Sequence, residues 1–251
     1  MKHVHPSSAQ VPAPGLRLRG DFDHAGVPLF RDLDLTVAAG GWTCLLGPSG
    51  VGKSTVLRLL AGLETGGSFT GEIGADDGGP IAGRIAFMAQ TDLLAPWLDV
   101  RGNVTLGARL RGETPDAARA EELIARVGLA DHVHKWPASL SGGMRQRVAL
   151  ARVLMEDRPI VLLDEPFGAL DARTRAEMQE LAFETLTGRT VLLVTHDPAE
   201  AVRLGHHLFI LSENGLSECA GLENEPVRAV DAPETIEMQV RLFRSLRGGV
   251  A

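Results

Sequence analysis

The chain has 251 residues, 44% of them hydrophobic and 23% charged, which suits one large globular domain or one domain with an insertion. Its 25 basic against 32 acidic residues give a formal charge of −7, which speaks against a nucleic-acid partner. No apolar run reaches the ~18 residues of a membrane-spanning helix, the start lacks the apolar core of a signal peptide, and two cysteines make no disulfide framework; a soluble, cytoplasmic chain is expected.

Residues 1–13 carry prolines and little pattern, and read as a flexible arm. The remainder, 14–251, reads as one domain. Leu16 and Leu18 alternate with arginines as in a strand, residues 21–26 form a turn-rich connection, and 34–37 make a second strand before the Gly40-Gly41 turn. The apolar run 42–46 reads as a buried strand and 55–61 as a helix stopped by Gly62. Residues 65–83, rich in Gly and Asp, hold a strand candidate at 68–73, expected in a surface hairpin. Residues 84–89 form the next core strand, which ends at Gln90. From about 93 to 157 the pattern is mostly helical, an insertion with helices at 103–110, at 115–127 (Thr114 as N-cap, Gly128 as stop) and at 144–156.

Four apolar residues, 160–163, then lead to Asp164 and Glu165. Asp171 caps a helix reaching about 187, and the buried strand 190–195 ends at His196. Asp197 caps a further helix with Pro198 at its first position. Residues 208–211 and 216–219 flank Glu213-Asn214-Gly215, a hairpin signal. An amphipathic helix over 235–246 lies in the tail, 226–251. Strands alternating with helices predict an α/β fold with a mostly parallel sheet and helices on both faces.

Between the strand at 42–46 and its helix stand Gly47, Pro48, Ser49, Gly50, Val51, Gly52, Lys53, Ser54 and Thr55, a match to G-x-x-x-x-G-K-[ST]. Glycines let backbone wrap around phosphate, and amides at a helix N-terminus attract the anion. Lys53 supplies charge at the outer phosphates, the Ser54 hydroxyl is placed for Mg²⁺, and Thr55 is a further phosphate contact. Asp164 reaches the same sheet edge and can hold Mg²⁺, while Glu165 can act as general base on an attacking water. His196 can donate to a terminal phosphate, although a lone histidine is more often structural. The Gln90 amide can ligate Mg²⁺ and orient water. Ser141, Gly142 and Gly143 open a second helix and offer another anion site, unless Ser141 is only an N-cap.

Together these motifs resemble the ATP-binding subunits of ABC transporters, in the family's order, over about 16–212. Residues 47–55 match Walker A, Gln90 the Q-loop, 140–144 the signature, 160–164 Walker B, Glu165 the catalytic glutamate, 169–171 the D-loop with Asp171, and His196 the switch histidine. The resemblance implies a P-loop NTPase core of RecA-like form, with an antiparallel N-terminal β subdomain and an inserted helical subdomain. It implies ATP and Mg²⁺ as cofactors and a head-to-tail dimer with ATP between one phosphate loop and the other copy's Ser141-Gly142-Gly143. It further implies transmembrane permease partners, a periplasmic or lipoprotein substrate-binding protein acting indirectly, and a peripheral place on the cytoplasmic face of the membrane.

Two positions depart from the family pattern. Met144 stands where glutamine is commoner. The adenine-stacking aromatic should fall near residues 22–25, where the chain has no tyrosine; His24 is the stand-in by spacing, with Phe22 second. The runs around Trp97, 142–147 and 164–171 resemble the nitrate, sulfonate and taurine importer group, which also includes uptake systems for thiamine-precursor pyrimidines. Trp97 is expected either at a permease contact or in the core. An exporter or lipoprotein-release ATPase and a soluble ABC ATPase are the alternatives.

Overall fold

The computed structural model describes residues 13–220 and 223–247. The arm expected over 1–13 lies outside this range except for Ala13, which is buried and accepts a hydrogen bond from Thr190 Oγ1.

Two sheets form the frame. One is antiparallel, in the order β2 (Val27–Val37), β1 (Leu16–His24), β4 (Gly67–Ala75). The other runs β5 (Ile85–Met88), β6 (Ile160–Asp164), β7 (Thr190–Val194), β3 (Trp42–Leu46), β8 (His207–Ser212), β9 (Gly215–Cys219). Its first five strands are parallel and only β9 returns antiparallel. Strands β3, β6 and β7 are buried at every residue, which explains why they are mostly apolar without alternation: a parallel strand covered on both faces has no solvent side to mark with polar residues.

Alternate residues of these strands serve two cores. Cys44, Val161, Leu163, Val191 and Leu193 face one apolar cluster with α5 (Gly142–Met155), α6 (Ala172–Thr185) and α7 (Pro198–Leu204). Leu45, Ile160, Leu162, Leu192 and Val194 face another, built from α1 (Lys53–Leu60) and the antiparallel sheet. Helices therefore dominate one face, while a single helix and a second sheet cover the other.

Several boundaries move. The connection expected at 21–26 is strand as far as His24, with the turn confined to Ala25-Gly26. Residues 67–75 are no self-contained hairpin; they pair with β1 along its whole length. The helix expected over 103–110 is two, α2 (Val100–Val104) and α3 (Leu106–Leu110), divided at Thr105, whose hydroxyl bonds back to Arg101 O at 2.9 Å. Helix α4 (Ala117–Arg126) is capped by Asp116, which accepts from Arg119 N, and not by Thr114. Helices α2 to α5 occupy the stretch between β5 and β6, and α8 (Pro233–Leu246) packs on α7.

Candidate active site

Strand β3 delivers the chain to Gly47, whose φ is +156°. A Cβ there would lie 2.3 Å from Leu211 O, so only glycine lets the loop leave alongside β8. Gly52, at φ +111°, is the N-cap of α1 and has no side chain to bond the first turn. Helices α2, α4, α5, α6 and α7 are each capped by an Asp or Ser oxygen. The first-turn amides of α1 are thus left for an anion, with Pro48, Ser49 and Gly50 exposed at the loop's crest. Val51 is buried beneath it.

Lys53 folds back under the loop. Its ammonium donates to Gly47 O at 2.7 Å and Pro48 O at 2.8 Å. Burial lowers its pKa, against the attraction of Glu165 and Asp164. Ser54 and Thr55 follow, both half-buried.

Strand β6 ends in Asp164, which is buried. Burial pushes its carboxyl pKa up, and a hydrogen bond from Ser54 and the charge of Lys53 pull it down. Its Oδ1 has no hydrogen-bond partner among the described residues. An orphaned buried carboxylate oxygen beside a serine hydroxyl and an ammonium suits a hard cation that takes oxygen ligands. The donor set therefore fits Mg²⁺.

Glu165 leaves the strand at φ +48°, an uncommon conformation for a residue with a side chain. Its N–H donates to Val194 O at 2.9 Å. One carboxylate oxygen accepts from Gln90 Nε2 at 3.2 Å, and the other lies 3.0 Å from His196 Nδ1. Gln90 follows β5 and His196 follows β7, so three neighbouring strands bring three polar side chains to one point at their carboxyl ends, where open α/β sheets hold ligands.

The remaining sequence-predicted residues lie apart from this point. Ser141 is an N-cap, accepting from Met144 N at 3.3 Å. It and Gly142 are exposed, and Gly143 lies against Ala169 O. Among the described residues no hydrogen bond joins 141–143 to the loop of the same chain. Asp171 caps α6 through Thr174 N. His24 is exposed at the end of β1, whereas Phe22 is 1% exposed and stacked on Phe30, which leaves no ring face for a base. Trp97 is 70% exposed and is not part of the core. It shares the helical region with exposed Leu93, Leu110 and Trp136.

Three arrangements escaped the sequence reading. Gln146, buried on α5, donates to Glu165 O at 3.0 Å and accepts from Ala169 N at 2.7 Å, tying the end of β6 to the loop before Asp171. The available signal was an uncharged amide on a helix face otherwise apolar, since a buried amide must find partners. Glu200, also buried, accepts from Thr195 Oγ1 at 2.7 Å and faces Arg175, which donates to Leu170 O. Burial pushes the Glu200 carboxyl up to about 7. Asn103 is fully buried and bonds Ala95 N, Ala95 O, Leu98 O and Asp99 O, pinning the loop that presents Trp97.

The sequence profile of the family described as ABC transporter matches residues 30–168. An uncharacterized ABC transporter ATP-binding protein of Haemophilus influenzae is 44% identical over 230 residues, 89% of this chain and 94% of that one. The aliphatic sulfonates import ATP-binding protein SsuB 1 of Rhodococcus jostii is 48% identical over 192 residues, 75% of each chain. The taurine import ATP-binding protein TauB of Yersinia pestis is 42% identical over 231 residues, 85% of this chain and 89% of that one. Among solved structures, the dimeric post-hydrolysis state of the ATP-binding cassette MJ0796 bound to ADP and Pi superposes with a TM-score of 0.71 at 28% identity, over 86% of this chain and 99% of that one.

Proposed function

The chain belongs to the ABC transporter family of ATP-binding proteins, and from that premise we infer that it is the ATP-hydrolysing subunit of a bacterial importer of the sulfonate and taurine type. The observation that carries the enzymatic reading is Glu165, held between Gln90 and His196 beside the phosphate loop. A carboxylate fixed at both oxygens is oriented to take a proton from water attacking the terminal phosphate. Residues 47–55 bind the phosphates, with Lys53 exchanging its two carbonyl partners for phosphate oxygens. His196 donates to the terminal phosphate. Ser54, Asp164 and Gln90 would hold Mg²⁺, which neutralises charge on the outer phosphates when bound.

In the head-to-tail dimer, the second copy supplies Ser141, Gly142, Gly143 and Asp171 to the far side of the nucleotide. Ser141 and Gly142 are exposed and make no hydrogen bond to the phosphate loop of their own chain, which suits service to another chain's site. His24 stacks on the adenine. Trp97, Leu93, Leu110 and Trp136, large apolar side chains exposed in the helical region, are the residues that meet transmembrane permease subunits. No helix among the described residues is long and apolar enough to cross a membrane. As in import systems of the sulfonate and taurine type, the chain sits at the cytoplasmic face through that permease, and a separate binding protein presents the substrate to it.

The test has two arms. Glu165→Gln should lose at least about 100-fold in phosphate release while still binding ATP, the scale of a general base; unchanged turnover would sink the assignment of Glu165. Tagged chain from detergent-solubilised membranes should bring down a multi-span permease, and recovery of soluble partners alone would refute the importer reading.

A further inference from the structure

Helix α8 buries one face and shows another. Thr235, Met238 and Leu242 pack inward, while Ile236, Val240 and Phe243 form an outward stripe at i, i+4 and i+7, each between 44% and 51% exposed. The stripe borders an open groove whose other wall is Asp197, Pro198 and Ala199. Those residues directly follow His196. Asp197 pairs with Arg175, which donates to Leu170 O beside Asp171. The groove therefore continues the surface that carries His196 and Asp171, the surface placed against the second copy in the dimer described above.

We propose that the outward face of α8 is a further contact of the homodimer, occupied by α8 of the second copy lying antiparallel about a two-fold axis at Val240. This rests on the ATP-sandwich reading and extends it to a part of the chain that touches no nucleotide.

A two-fold interface must be self-complementary, because each patch meets itself reversed. Reversing α8 about Val240 sets Val240 against Val240 and brings Ile236 beside Phe243 and Glu237 beside Arg244, each within one residue, or ~1.5 Å, of direct opposition. In such a pair the flank of one helix faces the same flank of the other, and Glu237 and Arg244 lie on one flank at helical spacing. Neither makes an ion pair within the described chain, so both charges are available to a second copy. The acid in the first half of the helix and the base in the second is the order an antiparallel copy complements. A lipid-binding helix instead spreads basic residues along its polar face.

Size sets when the contact forms. Three apolar side chains per copy fall far short of the ~800 Å² per partner of a stable interface. Pairing of α8 therefore accompanies ATP-driven association and does not hold two empty subunits together.

The experiment uses the full chain with Glu165→Gln, to retain ATP, and with Cys219→Ser, leaving Cys44 buried. Val240→Cys in this background should form an intermolecular disulfide on mild oxidation with ATP and little without it, since bridged Cβ atoms must approach to about 3.5–4.5 Å. Arg244→Glu should weaken the ATP-dependent dimer roughly three- to tenfold, the scale of two exposed ion pairs. Glu237→Arg combined with Arg244→Glu should restore it. An ATP-dependent dimer that neither cross-links at 240 nor responds to Arg244→Glu overturns the α8 contact and leaves the sandwich standing. No ATP-dependent dimer at all overturns both. Loss of binding to anionic vesicles in Val240→Asp, without a cross-link at 240, would reassign the stripe to lipid.

Discussion

Glu200 should give the fold a measurable dependence on pH. Its carboxyl is raised from 4.5 to about 7, first by burial, with Asp197 adding repulsion and the Thr195 hydroxyl, Arg175 and His196 opposing. Below pH 4.5 the group is protonated in both folded and unfolded chains and contributes no pH dependence. Between 4.5 and 7 the folded state keeps a proton that the unfolded state has released, so stability falls as pH rises; above 7 the loss is complete. A shift of this size at ~1.36 kcal/mol per unit amounts to about 3 kcal/mol across the window. Glu200→Gln keeps an acceptor for Thr195 and removes the titration. Urea unfolding of both proteins from pH 4.5 to 8 should give a difference in stability that grows with pH in favour of the variant and levels off above 7. Parallel pH profiles for the two proteins would refute the argument.

Gln146→Leu keeps the volume of the side chain but strands Ala169 N and leaves Glu165 O with only the longer bond from Gly168 N at 3.4 Å. At about 1–3 kcal/mol per unsatisfied buried group, it should cost roughly 2–4 kcal/mol in denaturant unfolding, and steady-state ATPase should lose kcat more than affinity. A stable variant with normal kcat would show that the amide only fills space. Asn103→Ala removes four hydrogen bonds to the loop at 95–99. It should lower stability by about 2–4 kcal/mol and open that loop to limited proteolysis near Trp97; an unaltered cleavage pattern would count against the pinning role.

Much of the molecule was legible because of where its residues lie. Strands at 42–46, 160–164 and 190–194 are buried on both sides, and continuous apolar runs ending in Gly47, Asp164 and His196 announce both the strand and its functional end. Strand β4 was harder. It sits at the edge of the antiparallel sheet with most residues exposed, so its side chains carry little pattern. Its pairing also depends on Gly20 facing Gly71, where a Cβ on Gly20 would come within 2.7 Å of the Gly71 Cα, and isolated glycines read as loop. The break at Thr105 follows from a hydroxyl bonding back to the helix, which any threonine in a helix could do. Gln146, Asn103 and Glu200 were invisible for a different reason: Gln146 acts on groups 19 and 23 residues away, Asn103 on an irregular loop 4 to 8 residues back, and Glu200 through burial, and none of these is written in helical or strand periodicity. The motif residues were chemically recognisable, but the clasp of Gln90 and His196 on opposite oxygens of Glu165 required the strand order.

Gln146 has one more consequence. It stands on the helix that Ser141 caps, and it holds the backbone of Glu165 with one end and the loop before Asp171 with the other. In the head-to-tail pair proposed above, Glu165 would work on the nucleotide of its own chain, whereas Ser141 and Asp171 would serve the nucleotide of the other. A single amide then spans two reaction centres. Under that proposal, a shift at one Glu165 after hydrolysis would reach the residues closing the opposite site through this side chain, a route by which each site would register the state of the other.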